Sequence, residues 1–171
     1  THSQSPENIF TSIPGLTVLY GSHRHDLARL LVDAARRWPY PTLFFEHKLL
    51  YGEGMEAGEY RELPAAPGDL AAHLFPTLLR RGGDADLCIV TYGGMLPAVE
   101  EAVQKLEEEE ELTVDILVPS LLSPLPRRTL LAHLMRSERV VIAEESHHEF
   151  GVGAEIAACL LEAGFRGQCF R

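Results

Sequence analysis

The sequence is poor in cysteine and in positive charge, and it has no long apolar run. Its 171 residues include three cysteines and 15 lysines and arginines, against 25 aspartates and glutamates, for a net charge of −10. No apolar run approaches the roughly 20 residues that a bilayer-spanning helix needs. Nucleic-acid binding needs clustered basic residues, so we expect neither nucleic acid nor membrane as a partner. The acidic balance instead favours solubility, or a basic protein partner.

The cysteines also bear on the cellular compartment. Cys88, Cys159 and Cys169 are odd in number and include no Cys-x-x-Cys pair. A reducing compartment is therefore the simpler interpretation, which means the cytoplasm, or the mitochondrial matrix if the source is eukaryotic. We expect no secretory leader. Thr1 is not an initiator residue, so the native ends stay open.

The clearest pattern is a strand, a glycine turn and a helix between residues 86 and 111. An apolar run from Leu87 to Tyr92 has the length and β-branched content of a buried strand, and it stops at Gly93-Gly94. Apolar residues then recur at helical spacing, with Pro97 tolerated in the first turn. These apolar residues are Leu96, Val99, Val103 and Leu106. The unit predicts the start of a parallel α/β layer.

Similar patterns lie on both sides of this unit. Before it, residues 16–20 and 42–45 are predicted strands joined by a helix from Leu27 to Trp38. After it, residues 112–118 and 139–143 are predicted strands, each followed by a helix, one opened by Pro126 and one by Gly151-Val152-Gly153. Successive βα units favour right-handed crossovers. The predicted fold is α/β, with a mostly parallel sheet of about five strands and helices on both faces.

The stretch between these groups carries the weakest pattern. Residues 53–83 are rich in proline and glycine, and they predict a linker with one short helix around Leu70 to Leu79. The predicted division is therefore a first unit at 1–52, a linker at 53–83 and a second unit at 84–171.

Three motifs could be mistaken for functional sites. Gly151-x-Gly153 lacks the third glycine of a dinucleotide fingerprint, so a tight turn with close helix packing is favoured over nucleotide binding. Histidines cluster without metal-ligand spacing, which predicts surface histidines and no metal site. Those histidines are His23, His25, His147 and His148. The acidic run Glu107 to Glu111 predicts a solvated helix end that frays.

Longer motifs resemble a known family over nearly the whole chain. They keep the order and rough spacing of the β subunit of the thiamine-diphosphate-dependent E1 component of 2-oxo acid dehydrogenase complexes, of pyruvate or branched-chain type. The motifs are His2-Ser3-Gln4-Ser5-Pro6-Glu7, Ile13-Pro14-Gly15-Leu16, Phe44-Phe45-Glu46-His47-Lys48-Leu49-Leu50-Tyr51, Ile89-Val90-Thr91-Tyr92-Gly93, Leu122-Ser123-Pro124-Leu125 and Gly151-Val152-Gly153-Ala154-Glu155-Ile156.

The resemblance implies an architecture and an activity. Residues 1–52 would be the end of a pyrimidine-binding α/β domain, and 84–171 a transketolase-type C-terminal domain. The intact assembly would decarboxylate a 2-oxo acid oxidatively and pass the acyl group to a lipoyl arm. Its implied partners are an E1 α subunit and the E2 dihydrolipoyl acyltransferase, in an (αβ)2 heterotetramer, or a homodimer if the subunits are fused.

The same resemblance indicates which site residues to expect here. His2 matches a histidine that lines the family's active site and is thought to position or protonate the substrate or acyl group. The glutamate that activates the cofactor precedes this motif, so Thr1 begins after it. The α subunit's Gly-Asp-Gly motif holds the diphosphate and magnesium, whereas Gly68-Asp69 and Gly83-Asp84 lack its final glycine. We therefore expect the isolated chain to be inactive and to bind no thiamine diphosphate tightly.

Two alternatives remain open at this point. A transketolase or deoxyxylulose-phosphate-synthase-like enzyme would share the fold, although the run Phe44 to Gly52 argues against it. A non-catalytic module that docks other subunits would keep the fold and lose the chemistry. One departure from the family is local: its members commonly have His-Glu-Ala-Pro where this chain has Glu144-Glu145-Ser146-His147, so only Glu145 carries over.

Overall fold

A computed structural model of the chain describes residues 5–52, 54 and 57–171. Within these residues the chain forms nine strands and five α-helices. In chain order they are α1 (Glu7–Thr11), β1 (Thr17–Tyr20), α2 (Leu27–Arg36), β2 (Thr42–Phe45), β3 (Tyr60–Glu62), β4 (Thr77–Arg80), β5 (Leu87–Thr91), α3 (Leu96–Glu109), β6 (Val114–Pro119), β7 (Leu121–Ser123), α4 (Arg127–Leu134), β8 (Arg139–Ala143), α5 (Val152–Glu162) and β9 (Gln168–Phe170).

The larger sheet has six strands in the order β3-β4-β6-β5-β8-β9. The four strands β6, β5, β8 and β9 are parallel, while β3 and β4 add an antiparallel edge. Helices α4 and α5 pack on one face of the sheet, and α3 packs on the other. The predicted α/β class with helices on both faces is confirmed, with one strand more than expected.

The smaller sheet joins two distant parts of the chain. Its order is β2-β1-β7, with β1 parallel to β2 and antiparallel to β7. Strand β7 begins two residues after β6 ends, so one continuous segment, residues 114–123, contributes a strand to each sheet. The amide of Tyr20 donates to the carbonyl of Ser120, between those two strands, at 2.8 Å. Residues 5–52 are therefore hydrogen-bonded directly to the second half of the chain.

The predicted linker is largely ordered into the larger sheet. It contains β3 and β4 where one helix around Leu70 to Leu79 was expected, and only residues Leu70–His73 form a short 3₁₀ turn. Strand β4 pairs with β6 and buries Leu78 and Leu79. Pairing with a strand nearly forty residues away leaves no local signal in sequence. The division of the chain into domains at 52 and 83 stays a prediction.

The acidic end of α3 is also better ordered than its charge suggests. The helix runs to Glu109, and the carboxylate of Glu107 accepts two hydrogen bonds from Arg80, each at 3.0 Å, and one from Arg81. These hydrogen bonds lower the pKa of Glu107 against the opposing effect of partial burial. The prediction of a fully solvated, fraying end is wrong for Glu107, because β4 brings two arginines to it.

The helices carry no membrane-spanning candidate. In the part of the chain that the structure describes, none is long and apolar enough to cross a bilayer.

Candidate functional site

Two strands of the larger sheet end side by side, where the polar residues of the chain converge. Strands β5 and β8 are parallel neighbours, with Thr91 opposite Ala143. The residues that follow, Tyr92 and Glu144, therefore project at the same end of the sheet. We call this end, together with the glycine turn Gly93-Gly94 and Glu145, the carboxyl edge. Open α/β sheets commonly bind ligands at such an edge.

Helix α1 is tied to the carboxyl edge through a buried tyrosine. The hydroxyl oxygen of Tyr92 lies 2.8 Å from Glu7 Oε1 and 2.8 Å from Glu144 Oε2. Glu7 is fully buried, and its second carboxyl oxygen has no hydrogen-bond partner among the described residues. Burial, reinforced by the nearby acidic groups, raises the pKa of Tyr92 far above its ordinary value, so its hydroxyl keeps its proton.

The glycines before α5 are explained by the same carboxyl group. The amide of Gly153 donates to both oxygens of Glu144, each at 3.1 Å. A β-carbon on Gly151 or on Gly153 would lie 2.5 Å from Glu144 Oε1. The two glycines thus permit a close approach between the helix start and a side chain of its own sheet, as the close-packing interpretation predicts. The position that a phosphate would take at this helix start is filled by Glu144.

Residues 5–52 pack directly on the glycine turn. Gly93 has a φ of +55°, and its missing side chain leaves room for the ring of Tyr20, 2.5 Å from an ideal β-carbon. Gly94 leaves room for the ring of His47 in the same way. His47 Nε2 lies 3.5 Å from Glu145 Oε2, and its buried Nδ1 has no hydrogen-bond partner among the residues that the structure describes. Burial, followed by the negative charge of Glu145, raises the pKa of Tyr20 to about 12.

A second set of contacts joins the segment after β1 to α3. Glu100 lies 3.1 Å from His23 Nε2 and accepts a hydrogen bond from Arg24 Nε at 2.9 Å. Burial of Glu100 acts to raise its pKa, but the hydrogen bonds from its partners outweigh burial and lower the pKa to about 2. Glu100 is therefore an ionised carboxylate near neutral pH.

The surface prediction for the histidines is half wrong. His147 and His148 are exposed, whereas His23 and His25 are buried. His25 Nδ1 accepts a hydrogen bond from the amide of Ser22 at 3.1 Å. Burial lowers the pKa of His25 to about 4, so the ring is neutral. The pairing of β1 with β7 carries this turn into the interior, which the spacing of two histidines does not reveal.

The opposite end of the parallel strands holds a compact acid-base pair. His133 Nε2 on α4 lies 2.7 Å from Asp115 Oδ2 on β6, and the amide of Gly82 donates to Asp115 Oδ1 at 2.8 Å. Both side chains are buried. We call His133 and Asp115 the amino-edge pair. A polar cavity of about 340 Å³ opens beside it.

The described residues do not fit a magnesium diphosphate site. Within residues 5–52, 54 and 57–171, no group of three or more His, Cys, Asp or Glu side chains is placed to hold a metal ion. Asp69 is occupied in a local role, because it accepts hydrogen bonds from the amide and the hydroxyl of Thr129 at 2.7 and 2.8 Å. Asp84 lies beside the amino-edge pair, at the opposite end of the parallel strands from the carboxyl edge.

His2, the predicted catalytic residue, lies outside the described residues. The structure does place the residues that follow it. The carbonyl of Ser5 accepts from Ser146 Oγ at 3.5 Å, and Glu7 is bound to Tyr92. Both contacts are made at the carboxyl edge.

Sequence reasoning missed most of the residues that meet there. Those residues are Glu7, Tyr20, His47 and Tyr92, with Glu144 noticed only as a departure from the family. One signal was present: Tyr92 and Glu144 each follow a predicted strand, and parallel neighbours end at one edge. The order of the strands was needed to bring the two residues together.

Comparison with known proteins supports the family resemblance. Residues 77–171 match the model of the transketolase C-terminal domain. The chain is 34% identical over 164 residues to the pyruvate dehydrogenase E1 component subunit beta-1 of Arabidopsis thaliana, covering 96% of this chain and 43% of that protein. It is 31% identical to the 2-oxoisovalerate dehydrogenase subunit beta of Dictyostelium discoideum, covering 96% of this chain and 42% of that protein.

Two further relatives widen the comparison. The chain is 32% identical to the beta subunit of acetoin:2,6-dichlorophenolindophenol oxidoreductase of Bacillus subtilis, covering 96% of this chain and 45% of that protein. Among solved structures, a split-gene transketolase described as an inactive beta4 tetramer superposes with a TM-score of 0.64 at 20% identity. The superposition covers 95% of this chain and 49% of that one. This likeness concerns the fold alone. The chain spans less than half the length of these relatives.

Proposed function

Because the chain belongs to the transketolase C-terminal domain family, we propose that it is the C-terminal part of the β subunit of a thiamine-diphosphate-dependent 2-oxo acid dehydrogenase. In this proposal it builds one wall of the active site and does not hold the cofactor. The assembly would decarboxylate a 2-oxo acid oxidatively and transfer the acyl group to a lipoyl-bearing E2 acyltransferase. The isolated chain would be inactive.

The observation that carries the proposal is the position of Ser5 and Glu7. These residues directly follow the His2-Ser3-Gln4 motif, and both are bound at the carboxyl edge. Similarity over 96% of the chain to E1 beta subunits supports the same assignment. The activity of the whole assembly is proposed on that similarity, since the chain covers 43% of the relative.

His2 is the proposed catalytic residue. Transfer of an acyl group to a dithiolane needs a proton delivered to the sulfur that leaves. Histidine has an unperturbed pKa of about 6.5, so it exchanges protons readily near neutral pH. Ser3 and Gln4 are candidates to orient its ring by hydrogen bonds.

The cofactor's diphosphate and magnesium would be held elsewhere in the assembly. Neither Gly68-Asp69 nor Gly83-Asp84 has the surroundings of a diphosphate site. Asp69 is hydrogen-bonded to Thr129, and Asp84 lies beside the amino-edge pair. We therefore propose an α-type partner subunit as the source of those ligands, in an (αβ)2 assembly or a fused homodimer. Thiamine diphosphate would supply the means of stabilising the decarboxylated substrate.

Replacing His2 tests the proposal. In the reconstituted assembly, His2→Ala should lower turnover by ~10²-fold or more, the usual range for a lost general acid. Affinity for thiamine diphosphate should stay nearly unchanged in a cofactor titration, because the cofactor's ligands lie elsewhere. His73→Ala, at an exposed histidine, is the matched control. Turnover of the His2→Ala enzyme within about threefold of wild type would remove the catalytic assignment.

A further inference from the structure

Three oxygen atoms at the carboxyl edge lie within hydrogen-bond distance of one another in a row. Tyr92 Oη lies at hydrogen-bond distance from carboxyl oxygens of both Glu7 and Glu144. A phenol has one proton and can donate one hydrogen bond. If both carboxyl groups were ionised, one of the two contacts would bring lone pairs together without a proton. One more proton, held by a carboxyl group, would satisfy both contacts.

The surroundings of Glu144 favour its ionised form. Both of its oxygens accept a hydrogen bond from the amide of Gly153, in the first turn of α5. The start of a helix carries partial positive charge, which stabilises a carboxylate there. Glu144 is therefore the acceptor at one end of the group.

The surroundings of Glu7 favour its neutral form. Glu7 is fully buried, and its Oε2 has no hydrogen-bond partner in the part of the chain that the structure describes. An ionised carboxylate at this position would bury a charge with one oxygen unsatisfied, which costs far more than burying a neutral acid. The other titratable groups here are Tyr20 and His47, which face the glycine turn, and Glu145, whose negative charge acts on Tyr20. Among the described residues, none of the contacts to Glu7 is an ion pair with a cation.

We infer that Glu7 is a neutral carboxylic acid at neutral pH that donates to Tyr92, which in turn donates to Glu144. The three groups form a directed chain of hydrogen bonds from α1 through the end of β5 to the end of β8. Glu7 is thereby a positioning residue for the segment that precedes α1. Only this last consequence rests on the proposed function, because that segment carries His2.

Infrared spectroscopy of the chain tests the protonation directly. A carboxylic acid has a C=O stretch that a carboxylate lacks. At neutral pH the wild-type chain should show this band, and Glu7→Gln should remove the intensity of one carboxyl group. The side-chain amide of the new glutamine can still donate to Tyr92, so this variant should fold. Glu109→Gln, at an exposed glutamate on α3, is the control and should leave the band unchanged.

The infrared spectrum of Tyr92→Phe is a second test of the protonated carboxyl group. It removes the acceptor of the Glu7 proton and keeps the ring, so the band should shift and not vanish. Tyr51→Phe, at an exposed tyrosine, should leave the band in place. A spectrum in which Glu7→Gln removes no protonated-carboxyl intensity overturns the inference.

Kinetics of the reconstituted assembly test the positioning role. Glu7→Ala should lower turnover by on the order of tenfold or more, because small misplacements of a catalytic group are costly. Glu7→Gln should regain most of that loss, since it keeps the donor to Tyr92. Equal losses in the two variants would contradict the positioning role. If His2→Ala proves harmless while the infrared band behaves as expected, the catalytic assignment of His2 fails and the protonated Glu7 stands; the reverse pattern removes the inference alone.

Discussion

The two ends of the parallel strands both bury acidic groups, but they satisfy them differently. At the amino-edge pair, the two oxygens of Asp115 have separate partners, the amide of Gly82 and the ring of His133. At the carboxyl edge, Glu7 and His47 each have a buried polar atom that finds no hydrogen-bond partner within residues 5–52, 54 and 57–171. Among the described residues, neither Asp115 nor His133 contributes such an atom.

The origin of the residues differs in the same way. The amino-edge pair comes from β6 and α4, both part of the larger sheet and its helices, and Gly82 lies in the turn that follows β4. The carboxyl edge is assembled from α1, β1, β2 and the ends of two strands, up to 85 residues apart. Completely paired buried groups stabilise a fold, whereas unpaired ones cost stability and are more often kept for function. The complete pairing of Asp115 favours a structural role for the amino-edge pair, and the unpaired atoms at the carboxyl edge support that edge as the candidate site.

The strongest test of this contrast removes the partner of a completely paired group. His133→Ala would leave the carboxylate of Asp115 buried with only the amide of Gly82. Breaking a buried pair in this way costs about 3–5 kcal/mol of unfolding free energy, which urea denaturation would measure. His73→Ala, at an exposed histidine, should change stability by no more than about 0.5 kcal/mol. A loss below about 1 kcal/mol for His133→Ala would mean that the pair is not structural.

A second test concerns the buried ring of His25 and its titration. The pKa of His25 lies at about 4, below the ordinary 6.5, because burial disfavours the charged ring. As pH falls below 6.5, His25 therefore binds a proton in the unfolded chain but not in the folded chain. The contribution of His25 to stability should be constant above about pH 6.5 and should fall between about 6.5 and 4 by up to about 3 kcal/mol. NMR titration of the His25 ring, beside urea denaturation at several pH values, would measure both quantities. Titration of His25 at its ordinary pKa would contradict this expectation.

The smallest expected effect contrasts one glycine from each edge. A β-carbon on Gly153 would lie 2.5 Å from Glu144 Oε1 and 2.9 Å from Ile142 Cγ2, whereas one on Gly83 would meet nothing within 4 Å. Gly153→Ala should cost about 1–3 kcal/mol through crowding, and Gly83→Ala should be nearly neutral or slightly stabilising. Urea denaturation of both variants gives the comparison. Equal stabilities would show that Glu144 can move away from the helix start without cost.

The fold was largely predictable, because its elements carry local periodicity. Strand β5 and helix α3 lie within a residue or two of the predicted positions, and so do β1, β2 and β8. The misses were β3, β4 and the short strands β7 and β9, each stabilised by a neighbour distant in sequence. The site was less predictable for the same reason, since Glu7 meets Tyr92 across 85 residues and Glu144 meets Tyr92 across 52.

By itself the sequence determined the α/β class, the glycine turns at Gly93 and Gly153, and the family, because these depend on patterns within one element or one motif. Tertiary structure alone decided that the histidine turn after β1 is buried, that two arginines reach Glu107, and that Glu7, Tyr92 and Glu144 share one hydrogen-bonded group. Strand order brings distant residues together, and it depends on pairing between whole strands. Protonation of a carboxyl group depends in turn on every neighbour that this pairing supplies.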